Sequence, residues 1–415
     1  MAYVSIKEWK CCGLNMWQQV LLGLVAGVIA GLLLGESAVA LKPIGTIFIK
    51  LIKMVVAPLI FFALIAGITS LTDTHHFKGI ALKGVSAYLT TSLIAVCLGL
   101  LLGSLFKPGI GVPLPATDSV SPVTTPPPSV TDFLMGLIPS NIVQAMAGDM
   151  YLQIVVFAIF TGIVMNNIRG HTEMVKELNQ QFAHIVFKMI EWIVRLAPFA
   201  VFGFMATMVG TTGIDVIVSL AVLVALVIGA CIIQYLFFGI LILLFGKLSP
   251  LPFYRKMVTT QVMAFSTSSS KATLTTAMRE LQDKMGVSQS SSNFMMPLGA
   301  CINMDGTAIY LGLCAMFFSQ MYGISLEGTD YLMLMLTCTL GSVGAAGVPS
   351  GSIIFMGMVL ASVGIPMEGI GIILGVDRIL DMFRTTVNIT GDSAITLIVD
   401  KSEGQLDETL YYERM

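Results

Sequence analysis

The chain has 415 residues, of which 56% are hydrophobic and 11% are charged, and its formal net charge is −2. A soluble domain has about 25% charged residues, so this composition excludes a protein whose whole surface faces water. There is also no basic tract of the kind that binds nucleic acid. The sequence therefore predicts an all-α protein whose helices span a membrane several times.

Long apolar runs dominate residues 1–250. A bilayer core of about 30 Å needs about 20 apolar residues in a helix. The stretch after Lys7 and Lys10 is too long for a signal peptide and has no clear cleavage site, so we interpret it as the first span. Six spans are predicted, near residues 16–36, 43–71, 84–106, 132–168, 183–210 and 214–246.

The charges of the loops predict the orientation. Most basic loop residues fall on one side if the N-terminus is cytoplasmic, and the opposite side keeps mainly Lys42 and Lys107. Because cytoplasmic loops carry the excess of Lys and Arg, this pattern predicts cytoplasmic N- and C-termini. The Pro-rich stretch 107–130 is then an outside loop, and residues 401–415 are a cytoplasmic tail.

Residues 251–400 contain two polar breaks between apolar segments, Phe265–Thr276 and Gly341–Ser352. Non-helical backbone at membrane depth is tolerated only where it is buried in protein or lines a cavity. Two such breaks at comparable places favour a transporter binding site. We interpret both as re-entrant helical hairpins; the alternative is an ordinary loop between short helices.

The last predicted helix, Gly375–Ile398, carries a polar stripe. Its members fall within about 80° of arc at 100° per residue. They are Asp377, Asp381, Arg384, Asn388 and Asp392. A charge in the bilayer costs several kcal/mol unless it is paired or hydrated. The stripe therefore favours a binding site over the alternative of an ion-pair seam that fixes helix register.

The chemistry of the stripe suits a zwitterion with an additional carboxylate. Arg384 can bind a carboxylate through two parallel hydrogen bonds. Asp381, one turn earlier, can accept hydrogen bonds from an ammonium group, and Asn388 can donate or accept. Asp392 is left for a cation.

A second polar motif, Asn303-Met304-Asp305-Gly306-Thr307, has a helical run on each side. Gly306 permits unwinding, and an unwound helix exposes the oxygen ligands that hard cations prefer. The motif is also common in turns, but its apolar setting favours an ion site. A third, weaker signal is the shared face of Tyr88, Thr91 and Ser92, whose hydroxyls more often bond to their own helix.

No residue pattern indicates an enzyme or a bound cofactor. The four histidines lie in or beside loops, and no nucleophile–base order, phosphate-binding loop or metal cluster is apparent. The seven cysteines lie mostly in apolar segments and are interpreted as packing residues.

The sequence resembles the dicarboxylate/amino acid:cation symporters, the family of the glutamate transporters. The resemblance covers nearly the whole chain and rests on four motifs in order: SSSKATL (268–274), NMDGTA (303–308), GAAGVPSG (344–351) and DRILDMFRTTVNITGD (377–392). It implies a homotrimer with eight spans and two re-entrant hairpins. Residues 251–400 with the third and sixth spans would form a mobile transport domain, and the other spans a trimeric scaffold.

The resemblance also implies roles for individual residues. The substrate would be bound by Arg384, Asp381, Thr385, Asn388, Thr307 and the backbone of Ser270 and Val348. One sodium site would use Asp392 and Asn388 with the backbone of Gly299 and Asn303. A second would use the backbone of Cys301, Ser342, Val343 and Ala345 near the Met304 sulfur. A third would use Tyr88, Thr91, Ser92, Asn303 and Asp305.

Specificity follows from two positions. Neutral amino acid carriers of the family usually lack Arg384, and its C4-dicarboxylate carriers usually lack an acid at Asp381; this chain has both. We therefore expect a sodium-coupled, elevator-type symporter of aspartate or glutamate in a bacterial inner membrane. The alternatives are a proton-coupled, neutral amino acid or C4-dicarboxylate carrier of the same family, and an ion channel.

Three positions depart from the family pattern. An arginine usual at the position of Ser268 or Met382 is missing, and Lys271 or Arg378 is the candidate replacement. Leu311 replaces the glutamate of potassium-coupled members, which argues against proton or potassium coupling through that residue. The second hairpin tip (350–352) is more polar than that of some relatives, which can shift substrate preference.

Overall fold

The computed structural model describes residues 16–69, 78–112, 135–136, 138–148, 150–168, 170–213, 215–344 and 351–413. Within these ranges the regular elements are all helical and there is no strand. The prediction of an all-α chain is therefore confirmed for this part of the protein.

In the described part of residues 16–244, eight helices have defined bounds. They are α1 (Met16–Leu34), α2 (Lys42–Thr69), α3 (Lys78–Phe106), α4 (Ile142–Ala147), α5 (Tyr151–Asn167), α6 (Glu173–Val194), α7 (Ala197–Thr212) and α8 (Asp215–Leu244). A 3-10 turn, Gly35–Leu41, joins α1 to α2. The first, second, third and sixth predicted spans match α1, α2, α3 and α8.

The fourth and fifth predicted spans differ from the structure. The span predicted at 132–168 contains two helices, α4 and α5, interrupted near Gly148, a residue with low helix propensity. The span predicted at 183–210 begins earlier and bends by 48° between α6 and α7. Pro198 stands in the first turn of α7, where proline favours a helix start. The first half of α6 is amphipathic, so its polar residues interrupt the apolar run and the predicted span begins too late.

By length and composition, four stretches of the described chain are suited to cross a membrane. They are Gln18–Ala66, Leu82–Phe106, Ile217–Leu244 and Gln289–Met321. The bent pair of α6 and α7 makes a fifth when it is counted as one span. The chain is an integral membrane protein, whereas the number of eight spans remains a prediction.

Helices α1 and α7 pack at very short distance because glycines line one face of α1. A Cβ at Gly23 would lie 2.3 Å from the Pro198 carbonyl oxygen. At Gly27 it would lie 2.7 Å from the Phe202 oxygen, and Gly31 continues the same four-residue spacing. Without a hydrophobic driving force in lipid, small residues of this kind allow helix backbones to approach and pack.

Nine helices follow in the second part of the chain. They are α9 (Pro250–Lys256), α10 (Val258–Thr267), α11 (Ser270–Arg279), α12 (Gln289–Ile302), α13 (Asp305–Met321), α14 (Gly328–Gly344), α15 (Gly351–Ser362), α16 (Ile370–Ser402) and α17 (Glu408–Tyr412). A π-helical segment, Glu280–Lys284, follows α11, and a 3-10 turn, Met367–Gly369, precedes α16.

The first predicted polar break is much shorter than expected. Within Phe265–Thr276, α10 continues to Thr267 and α11 begins at Ser270, so only Ser268 and Ser269 are non-helical. Ser268 adopts a left-handed conformation (φ +50°), and the Ser269 side chain caps α11 by accepting from the Ala272 N–H at 3.3 Å. These serines are thus turn and capping residues, and α10 packs against α11.

At the second predicted break, α14 and α15 also pack against each other. Residues 345–350 between them lie outside the described residues. Placement of either helix pair as a re-entrant hairpin remains a prediction.

Helix α16 is the central element of the second part. It is longer than the predicted Gly375–Ile398 and is buried along most of its length. It contacts α7 and α8 from the first part of the chain and α10, α12 and α13 from the second part. The polar stripe is therefore enclosed by helices on several sides.

The segment expected to be a simple tail, 401–415, is folded onto the protein as far as residue 413. The buried Lys256 ammonium donates to the carbonyl oxygens of Lys284 (2.7 Å), Leu410 (2.7 Å) and Tyr411 (2.9 Å). The Tyr411 hydroxyl donates to the Ser249 oxygen at 2.7 Å. One lysine thereby joins the end of α9, the π-helical segment and α17.

We expect Lys256→Met to loosen the C-terminal segment, because three carbonyl groups lose their charged donor. A hydrogen bond to a charged group contributes about 1.5–3 kcal/mol. The variant should unfold at a lower temperature and expose residues 401–413 to limited proteolysis. The control is Lys188→Met, which removes an exposed pair with Glu191 that is worth at most about 1 kcal/mol. Equal thermal stability of the two variants would contradict the docking role.

Candidate functional site

The guanidinium of Arg384 lies at the centre of a fully buried charge cluster. Its Nη2 donates to Asp381 Oδ1 at 2.9 Å and lies 2.9 Å from Asp377 Oδ1. The contact with Asp377 lacks hydrogen-bond alignment and is an ion pair only. The guanidinium carbon stacks 3.9 Å from the centroid of the Tyr310 ring, a cation–π arrangement. The three charges share one face of α16, as their spacing predicts.

Two donors of Arg384 are unpaired. Nε and Nη1 have no hydrogen-bond partner among the described residues. Arg384 is 0% exposed. Buried polar groups are nearly always hydrogen-bonded, so an exception requires an explanation. Nε and Nη1 lie on different edges of the guanidinium, so each of them can donate singly to an oxygen of a bound ligand.

A second arginine balances the cluster. Arg378 Nη1 lies 3.9 Å from Asp381 Oδ2, whereas Lys271 Nζ lies 4.6 Å from the Phe187 ring centroid on α6. Of the two candidates for the missing positive charge, Arg378 is therefore the one beside Asp381. It precedes Asp381 by three residues and shares its helix face.

Asn388, Thr385 and Thr307 are buried next to the charge cluster. The Gly306 N–H donates to Asn388 Oδ1 at 2.7 Å, which joins α13 to α16. The unwinding expected at Gly306 occurs instead at Asn303 and Met304. Gly306 lies in the first turn of α13, where a Cβ would come within 2.6 Å of the Arg384 Cα and carbonyl oxygen. Its missing side chain serves helix contact rather than chain bending.

The carboxylate of Asp305 is held by neutral donors from two other helices. Ser92 Oγ of α3 donates to Oδ1 at 2.7 Å, with Thr91 Oγ1 at 3.5 Å. Gln234 Nε2 of α8 donates to Oδ2 at 2.8 Å. Thr91 also donates to Asn303 Oδ1 at 3.1 Å. Four of the five residues of the third implied ion site are thus brought together, whereas the fifth, Tyr88, makes its hydrogen bonds elsewhere.

Asp392 lies on the other side of Asn303. Asn303 Nδ2 donates to Asp392 Oδ1 at 3.0 Å, while Oδ2 has no hydrogen-bond partner among the described residues. A Cβ at Gly299 would lie 2.7 Å from Asp392 Oδ1 and 2.8 Å from the Tyr88 hydroxyl. That hydroxyl donates to the Met295 oxygen at 3.1 Å and lies on the Asp392 side of Asn303.

Asp305 and Asp392 are both 0% exposed, and within the described chain neither forms an ion pair with Lys or Arg. Buried charges are normally paired with an opposite charge or with a metal ion. The two buried carboxylates are joined through Asn303 and Thr91. With hydroxyl and backbone oxygens around them, they have the donor chemistry of a site for hard cations.

Comparison with known proteins assigns the family. The model of the sodium:dicarboxylate symporter family matches residues 16–402. This chain belongs to that family. It is 34% identical over 400 residues to a C4-dicarboxylate transport protein of Rhodospirillum rubrum, covering 94% of this chain and 89% of that protein. It is also 34% identical over 403 residues to a proton/sodium-glutamate symport protein of Bacillus caldotenax, covering 94% and 95%.

Membership makes the protein a transporter and not an enzyme. The family resemblance expected from the four motifs is confirmed. A third relative, a C4-dicarboxylate transport protein of Leptothrix cholodnii, is 32% identical over 403 residues and covers 95% of this chain and 90% of that protein. The relatives therefore differ in the substrate that their names state, at nearly equal identity.

Most of the remaining predicted site residues of the symporter lie in the described part of the chain, and two do not. Ser270 is buried at the start of α11, Cys301 is half-buried in the last turn of α12, and Ser342 is buried near the end of α14, which Val343 continues. Ala345 and Val348 lie outside the described residues. The Met304 sulfur lies 3.8 Å from Asn388 Nδ2, at the end of the unwound segment.

One polar residue of the site was not predicted from the sequence. Gln234 is 1% exposed and contacts Asp305, yet no motif contains it. The available signal was an amide in the otherwise apolar second half of the sixth span. A lone polar residue in a membrane helix is expensive and commonly functional.

We expect Gly306→Ala to separate α13 from α16 in this symporter, because its Cβ meets backbone atoms that cannot rotate away. Overpacking of this kind costs about 1–3 kcal/mol. Thermal unfolding in detergent should shift to lower temperature, and transport should fall. The matched control is Gly229→Ala in α8, where the new Cβ would meet no atom beyond its own turn of the helix. Wild-type stability and transport in Gly306→Ala would refute the close approach.

Proposed function

We propose that this protein is a sodium-coupled symporter of acidic amino acids, aspartate or glutamate, that works by elevator-type alternating access. One observation carries the substrate proposal: the buried Arg384 has two unpaired donors and lies one helix turn from Asp381. A single face of α16 thus offers a positive group for a carboxylate and a negative group for an ammonium.

In this proposal the side-chain carboxylate of the substrate accepts a hydrogen bond from one of the unpaired donors of Arg384, Nε or Nη1. The substrate ammonium binds Asp381, whose second oxygen faces Arg378 at 3.9 Å. Thr307, Thr385 and Asn388 are buried close by and supply hydroxyl and amide groups for the α-carboxylate. The backbone at Ser270 and Val348 completes the site according to the family resemblance.

Sodium is the proposed coupling ion because Asp305 and Asp392 are buried without a basic partner in the described chain. Hard cations take carboxylate, amide, hydroxyl and carbonyl oxygens, which surround both carboxylates here. A monovalent cation at each carboxylate would offset the desolvation cost of the charge. The Bacillus caldotenax relative is named a proton/sodium-glutamate symport protein, so its name includes sodium and glutamate as well as protons.

The division into a moving and a static part is supported by packing. In α3, a Cβ at Gly99 would lie 2.5 Å from the Ile309 oxygen of α13. In α8, Phe238 fills the space beside Gly391 of α16. The third and sixth spans are thereby tightly joined to residues 251–400, which we propose as the transport domain. The remaining spans would form the scaffold of a homotrimer in a bacterial inner membrane, with cytoplasmic termini.

A C4-dicarboxylate carrier is the second candidate, because two of the similar relatives carry that name. A dicarboxylate has no ammonium group for Asp381, so its second carboxylate would meet a negative charge there. Arg378 offsets part of this repulsion. The aspartate at position 381 therefore favours the amino acid.

Uptake into proteoliposomes tests the proposal. Radiolabelled aspartate, glutamate and succinate are offered with an inward sodium gradient or with a proton gradient alone. We expect concentrative, sodium-dependent uptake of an acidic amino acid. Uptake driven by protons alone would overturn sodium coupling, and preferential uptake of succinate would overturn the substrate.

We expect Arg384→Ala to abolish uptake of acidic amino acids. A hydrogen bond to a charged group contributes about 1.5–3 kcal/mol, so losing this contact should lower uptake at low substrate concentration by at least about 10-fold. The control is Arg195→Ala, which removes a partly exposed pair with Glu191. Unchanged aspartate uptake in Arg384→Ala would refute the assigned role.

We expect Asp381→Asn to lower aspartate and glutamate uptake while uptake of succinate is maintained or gained, because the partner of the ammonium group is neutralised. Competition of unlabelled succinate against labelled aspartate measures this change in the wild type and the variant. An equal loss of both substrates would indicate a structural role for Asp381 instead.

A further inference from the structure

Helix α8 turns one buried face toward the binding region. Cys231, Gln234 and Phe238 lie on this face at intervals of three and four residues. Phe238 fixes the position of this face. A Cβ at Gly391 of α16 would lie 2.5 Å from its Cζ atom, so the ring occupies the space that the glycine leaves. Gln234, one turn earlier on the same face, is thereby directed at Asp305.

The two oxygens of Asp305 have different partners. Oδ2 accepts from Gln234 at 2.8 Å, and Oδ1 accepts from Ser92 at 2.7 Å. Ser92, Thr91 and Asn303 all lie on the Oδ1 side. Because Gln234 occupies Oδ2, rotation of the carboxylate about its Cβ–Cγ bond would break this hydrogen bond.

The donor from α8 is neutral, and this matters for a cation site. A lysine or arginine at position 234 would also hold the carboxylate but would cancel its charge. An amide N–H stabilises the ionised form by hydrogen bonding and leaves its charge available to a bound cation. The described chain has no Lys or Arg in ion-pair contact with Asp305.

We infer that Gln234 is a positioning residue for the coupling cation: it holds Oδ2 of Asp305 so that Oδ1 stays directed toward the oxygens of Ser92, Thr91 and Asn303. The inference rests on the proposed function, since it assumes a cation at Asp305. It makes α8 a part of the ion site through one side chain. Groups that orient metal ligands typically change metal affinity by 10–100-fold when they are removed.

The test is Gln234→Met, which keeps the length of the side chain and removes the donor. We expect the sodium concentration for half-maximal aspartate uptake to rise by about 10–100-fold. Saturating sodium should restore much of the uptake that is lost at low sodium, because the change acts on the affinity for the ion. A general loss of structure would instead lower the maximal rate at every sodium concentration.

The matched control is Asn179→Leu. Asn179 is a buried amide of α6 that donates to the Phe62 carbonyl oxygen of α2 at 3.1 Å, and it has no contact with Asp305. The Asn179→Leu variant also loses a hydrogen bond donated by a buried side-chain amide. It should lower thermal stability without changing the sodium dependence of uptake. If Gln234→Met behaves like this control, the positioning role is overturned.

Wild-type transport separates the two levels of the proposal. Sodium-independent uptake by the wild type overturns sodium coupling itself, whatever the variants do. A sodium requirement in the wild type with an unchanged half-saturation in Gln234→Met overturns only the role of Gln234. If that variant does not fold, Gln234→Asn serves in its place: a shorter amide should give a smaller shift in the same direction, and no shift overturns the inference.

Discussion

A charge that is buried away from water carries a high desolvation cost. The two charged regions of this protein offset that cost in different ways. Arg384 is in contact with Asp377 and Asp381, so positive and negative charges largely offset one another. Among the residues that the structure describes, Asp305 and Asp392 are stabilised by neutral donors such as Ser92 and Asn303. The first region is suited to a substrate that carries both signs of charge, and the second to cations.

Glycines bring these regions together, because the polar groups reach one another only where helix backbones approach closely. A Cβ at Gly306 would meet the backbone of Arg384, and one at Gly299 would meet the Asp392 carboxylate. A Cβ at Gly391 would meet the ring of Phe238, so this glycine also allows the close approach of α8. Packing of small residues, which drives helix association in membranes, is therefore also what sets the distances between binding groups.

The sequence predicts those parts of the site that depend on one helix. The stripe from Asp377 to Asp392 follows from the 100° rotation per residue, which needs no tertiary information. The break near Asn303 was also predictable, although Gly306 does not cause it. Gln234 and the choice between Arg378 and Lys271 were not predictable from local pattern, because each depends on which neighbouring helix a side chain faces. The bend before Pro198 divides a span that apolar length alone would count as straight.

The same local chemistry explains why overall identity does not decide the substrate. This chain is 34% identical both to a C4-dicarboxylate transport protein and to a proton/sodium-glutamate symport protein. Both substrate classes share a carboxylate that suits Arg384, and they differ at the other end, where one has an ammonium group and the other a second carboxylate. In the proposed binding mode that end faces Asp381, which has Arg378 at 3.9 Å. The proposal therefore assigns the choice between the two substrates to the electrostatic balance between these two side chains.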